Sequence, residues 1–318
     1  MELNFIEVSE FEWQIIANPN ACDKKCLSNW DIIENALTEN HIKHAYHKAD
    51  GCHKGIELAR TLCQEGHRHL LVVGGDGTIN EVVNGIMSSG VDPAEVYLAV
   101  IPHGRGNDWA RSHSFPKDIA DSFKGFLKGS FTRHDIGLTK VFAQDQLLEE
   151  RFFININSYC FSAEVIYQTN VKKPKFLNIS VYVLGIFQAL RNYRYIPVKI
   201  RGNNISYDDE PFMFVVANCQ YNGGGMRQAP EAQYNDGLFD VVIIPKLGTL
   251  KILFNIRYIF TGRHIQKLKN VQFFRTDKLS IESEPFIRGE MEGEMLKQGR
   301  YDIEMIPNAL NVMTLNKA

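Results

Sequence analysis

Two apolar runs in this sequence pass through glycines and end on an acid. "LLVVGGDGTINEVVNGI" (70–86) reaches Asp76 through Gly74 and Gly75; "AVIPHGRGNDWARS" (99–112) reaches Asp108 through Gly104 and Gly106. Glycine turns ahead of a helix expose N–H groups, and with the helix dipole they favour an anion. A carboxylate in such a turn repels phosphate unless a cation stands between them, and Mg²⁺ prefers carboxylate, water and phosphate oxygens. The pattern therefore reads as a nucleotide site in which glycines hold phosphate and aspartate holds its metal, or else as a tight turn with a solvated acid. The G-x-x-x-x-G-K-[ST] pattern is missing, so it is not a P-loop. Two such turns at neighbouring strand ends would bring Asp76 and Asp108 to one rim. A third acidic motif, "RGEMEGEML", places Glu290, Glu292 and Glu294 at every second residue. Read as a strand, it puts all three on one face, where mutual repulsion raises at least one pKa. Such a group suits proton abstraction at neutral pH, although the same alternation also describes a solvated edge strand.

The elements that must carry these residues follow from periodicity. "WQIIANP", "IKHAYH", "HLLVVGG" and "VYLAVIP" read as strands, alternating with helices over "NWDIIENALTEN", "KGIELARTLC" and "INEVVNGIMSS". Ile79, Val82, Val83 and Ile86 form one apolar helix face, and Thr78 with Glu81 has the spacing of a capping box. This rhythm predicts an α/β domain with a parallel sheet covered on both faces. Beyond about residue 130 the pattern becomes strands with short turns: "RHDIGLTKVF", "RFFININSYC", "YIPVKIRGN", "PFMFVVANCQ", "GLFDVVIIP", "VQFFRTDKLSI" and "RYDIEMIP". These predict an antiparallel β domain, interrupted by helical segments near 178–193 and 248–261.

The 318 residues suit two domains, and a formal net charge of −2 provides no overall field for nucleic acid. Six scattered cysteines and an acidic opening without a long apolar run suggest a cytoplasmic protein with free thiols. The best apolar run, "SVYVLGIFQAL" (180–190), falls short of the roughly 20 residues that cross a bilayer. Cys22 and Cys26 lack a second ligand pair for zinc, and His41, His44 and His47 read as surface or loop histidines.

The chain is similar, over nearly its whole length and in order, to the diacylglycerol-kinase-type lipid kinases. "GGDGTINEVVNGI" resembles their GGDGT-N-E signature and "IPHGRGNDWAR" their P-x-G-T-x-N-D-F-A-R. NAD kinases and 6-phosphofructokinases also carry GGDG. "MRQAPEAQYNDGLFDVVII" (226–244), which resembles A-P-x-A-x-x-D-D-G-x-x-D, and "GEMEGEML" (289–296), which resembles D-G-E, favour lipid. "NPNACDKK" is similar to the opening N-P-x-S-G.

The resemblance implies a Rossmann-like, phosphofructokinase-like α/β domain over 1–136, with about 305–318 returning to it, and a β-sandwich over 137–304. It implies an active site in the cleft between them and transfer of the γ-phosphoryl group of ATP to a lipid hydroxyl. Gly74, Gly75, Asp76, Gly77, Thr78, Ile79 and Asn80 would hold the ATP phosphates, with Asn18, Arg105 and Asn107 nearby. Asp76, Asp108 and Asp135 would surround the catalytic Mg²⁺; Asp236, with the carbonyls of Gln233 and Leu238, would bind a second, structural Mg²⁺. Glu294 would be the general base, with Asp76 the other catalytic residue. The chain departs from the pattern at Ala21 and Cys22 for Ser-Gly, Arg105 for Thr, Cys160 for Gly, Asn235 for Asp and Glu292 for Asp. A kinase of a soluble acceptor such as NAD, and a lipid- or nucleotide-binding protein without catalysis, are the competing functions; a homodimer is compatible with either.

Two stretches contain no acid. From Val165 to Tyr207 lie Lys172, Lys173, Lys175, Arg191, Arg194, Lys199 and Arg201; from Pro245 to Asn270 lie Lys246, Lys251, Arg257, Arg263, Lys267 and Lys269. Each encloses an apolar helix-like run. Such a surface suits peripheral contact with an anionic membrane, or the helices simply pack on the sandwich with solvated charges. "YNGGGMRQAP" (221–230) would line a lipid entrance or form a plain hairpin loop.

Overall fold

The computed structural model describes residues 4–19, 30–51, 53–172, 189–191, 193–255 and 257–315. The chain forms two units: Met1–Ile136, Tyr234–Asp236 and Ile306–Ala318 make the first, Gly137–Gln233 and Gly237–Met305 the second.

The first unit is built on parallel strands. β1 (Asn4–Phe5) pairs with the start of β6 (Ser130–Ala143), while β2 (Glu12–Ala17), β3 (Lys43–Lys48), β4 (His69–Gly74) and β5 (Tyr97–Pro102) lie parallel in the order β3-β2-β4-β5. The end of β17 (Arg300–Met313) pairs parallel with β5. Leu70 to Val73 and Leu98 to Ile101 are fully buried, as expected of strands covered on both faces. Edge strand β3 is half-exposed; it carries His44 and His47, while His41 lies exposed in the turn before it. The helices α1 (Trp30–Glu39), α2 (Lys54–Gln64), α3 (Asp76–Met87), α4 (Asp108–Ser112) and α5 (Ile119–Leu127) complete the unit. Ile79, Val82, Val83 and Ile86 of α3 are buried, as their spacing requires. The strand order reverses beside β2. The carboxyl ends of β2 and β4 therefore flank a topological switch point, where open α/β sheets bind ligands.

The capping box does not form. Helix α3 begins at Asp76, and Gly75 caps it without a side-chain bond. Glu81 reaches α2 instead, accepting the N–H groups of His53 and Gly55 at 3.0 Å each. The spacing of Thr78 and Glu81 is right, but a neighbouring helix start competes for the carboxylate.

The second unit is an antiparallel sandwich. One sheet runs β13 (Gln272–Thr276), β12 (Phe239–Pro245), β11 (Pro211–Ala217), β8 (Ile156–Cys160), β15 (Gly289–Met291), β16 (Glu294–Met295). Facing it are β9 (Val198–Gly202), β10 (Ile205–Asp209), β14 (Lys278–Ser283) and the first part of β17, with β7 (Gln146–Phe153) paired to β6. Alternation assigns the faces: Phe214, Val216, Val241 and Ile243 enter the core between the sheets. Met213, Val215, Val242 and Ile244 enter a second core with α6 (Phe161–Lys172), α7 (Thr249–Asn255) and α8 (Arg257–Thr261); α9 (His264–Lys267) follows. Two stretches that read as single strands each split. "RFFININSYC" divides into β7 and β8, and "VQFFRTDKLSI" breaks at Asp277 into strands of different sheets. The helical segment near 178–193 and the "NPNACDKK" loop lie largely outside the described residues, and near 248–261 the chain forms α7 and α8. No helix among the described residues is long and apolar enough to cross a membrane.

Candidate functional site

The two glycine turns of the first unit touch through their backbones. A Cβ on Gly75 would stand 2.9 Å from the Gly104 Cα, and one on Gly104 would stand 2.4 Å from the Gly75 Cα. Only glycine at both positions permits this approach. The His103 N–H donates to the Gly74 carbonyl at 2.7 Å, closing the pair. At the end of β2 the Asn18 N–H donates to the Val73 carbonyl at 3.2 Å, and its amide reaches Thr78 Oγ1 at 3.5 Å. Asn18, Gly74, Gly75, Thr78, Asn107 and Asp108 thus share one rim. Gly77 and Arg105 are exposed; Ile79 and Asn80 are buried, the Asn80 side chain accepting from Asn84 at 3.2 Å.

Asp76 occupies the anion seat of the other turn. It is half-buried, and its Oδ1 accepts the Trp109 N–H at 2.9 Å at the start of α4; the N–H groups of Asp108 and Asn107 also face it. Burial pushes the Asp76 carboxyl above the usual carboxylate range, against these N–H groups, which favour its charged form. Asp108 is buried beside it, with Arg111 Nε 3.7 Å from its Oδ1. A methyl group added at Gly106 would lie 3.1 Å from Asp76 Oδ2 and 3.4 Å from Asp108 Oδ2, so the two carboxylates border the same small space. Paired hard oxygen donors, one of them charged at a desolvation cost, are a donor set that fits Mg²⁺.

Asp135 is fully buried in β6. Its Oδ1 accepts the Asn308 N–H at 2.6 Å, and its own N–H donates to the Tyr234 carbonyl at 2.8 Å. Trp109 Nε1 donates to His134 Nε2 at 3.4 Å, which connects Asp135 to the α4 turn. Asp236 is half-buried in the first unit; Gln233, exposed, and Leu238, half-buried, belong to the second.

In the second unit the glutamate row is a hairpin, which corrects the reading of one continuous strand. Glu292 and Gly293 form its turn with φ of 54° and 84°, and Glu290 and Met291 pair with Met295 and Glu294. The three side chains therefore meet different surroundings. Glu290 is buried: Gly293 N–H donates to it at 2.9 Å and Asn222 Nδ2 at 3.2 Å. Burial, not repulsion between neighbouring glutamates, pushes its carboxyl up. Glu292 accepts the N–H groups of Ile154 and Asn155 at 3.1 and 2.7 Å. Glu294 is half-exposed and meets Arg151 at 2.6 Å. Nearby, "YNGGGMRQAP" makes a tight loop in which Asn222 and Met226 exchange backbone hydrogen bonds at 3.0 Å.

The acid-free stretch from Pro245 displays Phe254 and Phe260, 74% and 50% exposed, together with exposed Lys251, Arg257, Arg263, Lys267 and Lys269. Lys246 is paired with Glu210. Other side chains of α7 and α8, Ile252 and Ile259, join Phe161, Val165, Phe212 and Ile244 around an apolar cavity of about 70 Å³.

Sequence reading missed the Trp109–His134–Tyr234 contacts, the burial of Glu290 and the Arg151 partner of Glu294. Only Trp109 left a local signal, standing where the related motif has phenylalanine.

Residues 12–139 match the family model described as the diacylglycerol kinase catalytic domain, and residues 158–314 match the YegS C-terminal NAD kinase beta sandwich-like domain. A diacylglycerol kinase of Staphylococcus saprophyticus is 26% identical over 238 residues, covering 75% of this chain and 73% of that protein. YtlR of Bacillus subtilis is 26% identical over 319 residues, covering 95% and 99%. The crystal structure of a diacylglycerol kinase from Bacillus anthracis superposes with a TM-score of 0.70 at 19% identity, covering 96% of this chain and 97% of that one, which is a likeness of fold.

Proposed function

Because the chain belongs to the diacylglycerol-kinase-type lipid kinases, we propose that it transfers the γ-phosphoryl group of ATP, with Mg²⁺, to the hydroxyl of diacylglycerol or a related lipid or sphingoid acceptor. One observation carries the reading: two glycine turns in backbone contact at a sheet switch point, with Asp76 and Asp108 bordering one space.

Phosphoryl transfer is mainly positioning and neutralisation of charge. The Gly74–Asn80 turn presents backbone to the triphosphate, and Asn18 and exposed Arg105 provide donors beside it. Asp76, Asp108 and Asp135 would hold the catalytic Mg²⁺, directly or through water, and Asp236 with the carbonyls of Gln233 and Leu238 a structural one. When bound, the catalytic Mg²⁺ would offset charge on the phosphoryl oxygens. Arg151 orients the Glu294 carboxylate, whose exposure leaves it able to leave that pair and take the acceptor's hydroxyl proton. The apolar cavity and the exposed phenylalanines of α7 and α8 favour a lipid over a soluble acceptor.

The same phenylalanines and their basic neighbours suit an anionic bilayer surface. Binding to vesicles should rise with phosphatidylglycerol content, weaken with salt, and fall in the Phe254→Ser/Phe260→Ser variant. Equal partitioning onto neutral and acidic vesicles would remove this part of the proposal. The reaction itself is tested with γ-labelled ATP and a panel of diacylglycerol, ceramide, sphingoid base and phosphatidylglycerol in mixed micelles, with NAD and water as controls. Label is expected in a lipid; label in NAD alone would contradict the assignment.

A further inference from the structure

We infer that Trp109 and His134 are positioning residues for the acidic rim, joined in a hydrogen-bonded stack that fixes the segments bearing Asp76, Asp108, Asp135 and Asp236 to one another. The inference rests on the metal role proposed for those acids.

Three of the acids stand close in sequence to a ring of this stack. Trp109 follows Asp108, His134 precedes Asp135, and Tyr234 lies two residues before Asp236. Residues 109, 134 and 234 come from α4, β6 and the short excursion Tyr234–Asp236, all in the first unit. The Tyr234 ring lies over His134 at 5.0 Å with a 22° tilt and contacts His113 at 4.3 Å; Trp109 contacts His113 at 4.2 Å.

A continuous set of hydrogen bonds runs through the stack. Asp76 Oδ1 accepts the Trp109 N–H at 2.9 Å, Trp109 Nε1 donates to His134 Nε2 at 3.4 Å, and His134 Nδ1 donates to the Asp135 carbonyl at 2.6 Å. The Asp135 N–H then donates to the Tyr234 carbonyl at 2.8 Å. His134 accepts at one nitrogen and donates at the other, a pattern that only the neutral ring with its proton on Nδ1 satisfies. The stack therefore adds no charge to the rim. It places the acids through main-chain anchors, which is what outer groups around a metal site do when they orient its ligands. Phenylalanine at position 109 would fill much of the same space but could not donate to His134.

The test uses the full-length chain and Mn²⁺ alone as probe, bound ion being counted from the loss of the free-ion paramagnetic resonance signal. Trp109→Phe is expected to weaken Mn²⁺ binding by about 10-fold, the lower end of the range for groups that orient metal ligands. It should also raise the Mg²⁺ concentration giving half-maximal turnover while leaving kcat at saturating Mg²⁺ within about 3-fold of wild type, since the ligands themselves remain. His134→Leu should weaken binding similarly, and the double variant should be no worse than His134→Leu, because both remove one interaction. Phe126→Leu, a core change elsewhere in the unit, controls for lost stability and should leave Mn²⁺ affinity unchanged. Unchanged affinity in Trp109→Phe, or additive losses in the double variant, would overturn the inference. Asp76→Asn separates the two levels of the argument. If it binds Mn²⁺ like wild type, the metal reading falls and the inference with it; if it loses binding while Trp109→Phe does not, the inference alone falls.

Discussion

The acids of the two units are held by contrasting means. In the first, Asp76 and Asp135 accept main-chain N–H groups, at 2.9 Å from Trp109 and 2.6 Å from Asn308. In the second, the glutamate hairpin contains both kinds of attachment within five residues. Glu290 and Glu292 are tied to main-chain N–H groups, whereas Glu294 is held by a side chain, Arg151, and stays half-exposed. A carboxylate held by main chain stays where the fold puts it, which suits a ligand or a brace. One held by a flexible arginine can change partner, which suits a group that must receive a proton and release it.

Substitutions along the hairpin should separate these roles. Glu294→Gln should lower turnover with a working lipid acceptor by about 100-fold or more, the scale of lost general-base catalysis, and leave the melting temperature near wild type. Turnover within a few fold of wild type would remove Glu294 from the chemistry. Glu292→Ala should act in the opposite way: two N–H groups lose their acceptor, and chemical denaturation should register a loss of about 2 kcal/mol. Unchanged stability with lost turnover would make Glu292 a reacting group instead of a brace.

The smallest effect is a pH slope at Glu290. Burial raises its carboxyl above the ordinary value of 4.5. Between 4.5 and the folded value, the folded protein keeps a proton that the unfolded chain releases, so stability is fullest below 4.5 and declines as pH rises through the folded value. Glu290→Gln mimics the protonated side chain and should flatten the fall in melting temperature between pH 4.5 and 8. Parallel profiles for the two proteins would show that the Glu290 carboxyl is not strained by burial.

What could be read from sequence follows the range of the interactions involved. The buried runs of β2, β4 and β5 and the apolar face of α3 announce themselves because burial imposes a period on neighbouring residues. The glycines preceding Asp76 and Asp108 are legible because close backbone approach excludes every other side chain. The strand assigned to "GEMEGEM" fails on a local signal read for its charges alone: Glu292-Gly293 is a two-residue turn in which both residues adopt positive φ. The capping box fails because Glu81 bonds to residues 53 and 55, a choice that only the packing of α2 on α3 decides. The Trp109–His134–Tyr234 stack joins residues 25 and 100 positions apart in three separate segments, and no period within one element encodes it.

The central claim is that Asp76, fixed by N–H groups at the start of α4, serves the metal that accompanies the triphosphate. Asp76→Asn tests it most directly, because asparagine preserves the acceptor oxygen for Trp109 and removes only the charge. Measured with γ-labelled ATP and the acceptor found in the lipid panel, the variant should keep its melting temperature and lose turnover by about 100-fold or more, as expected when charge compensation at a reacting phosphoryl group is removed. Wild-type turnover in Asp76→Asn would contradict the account.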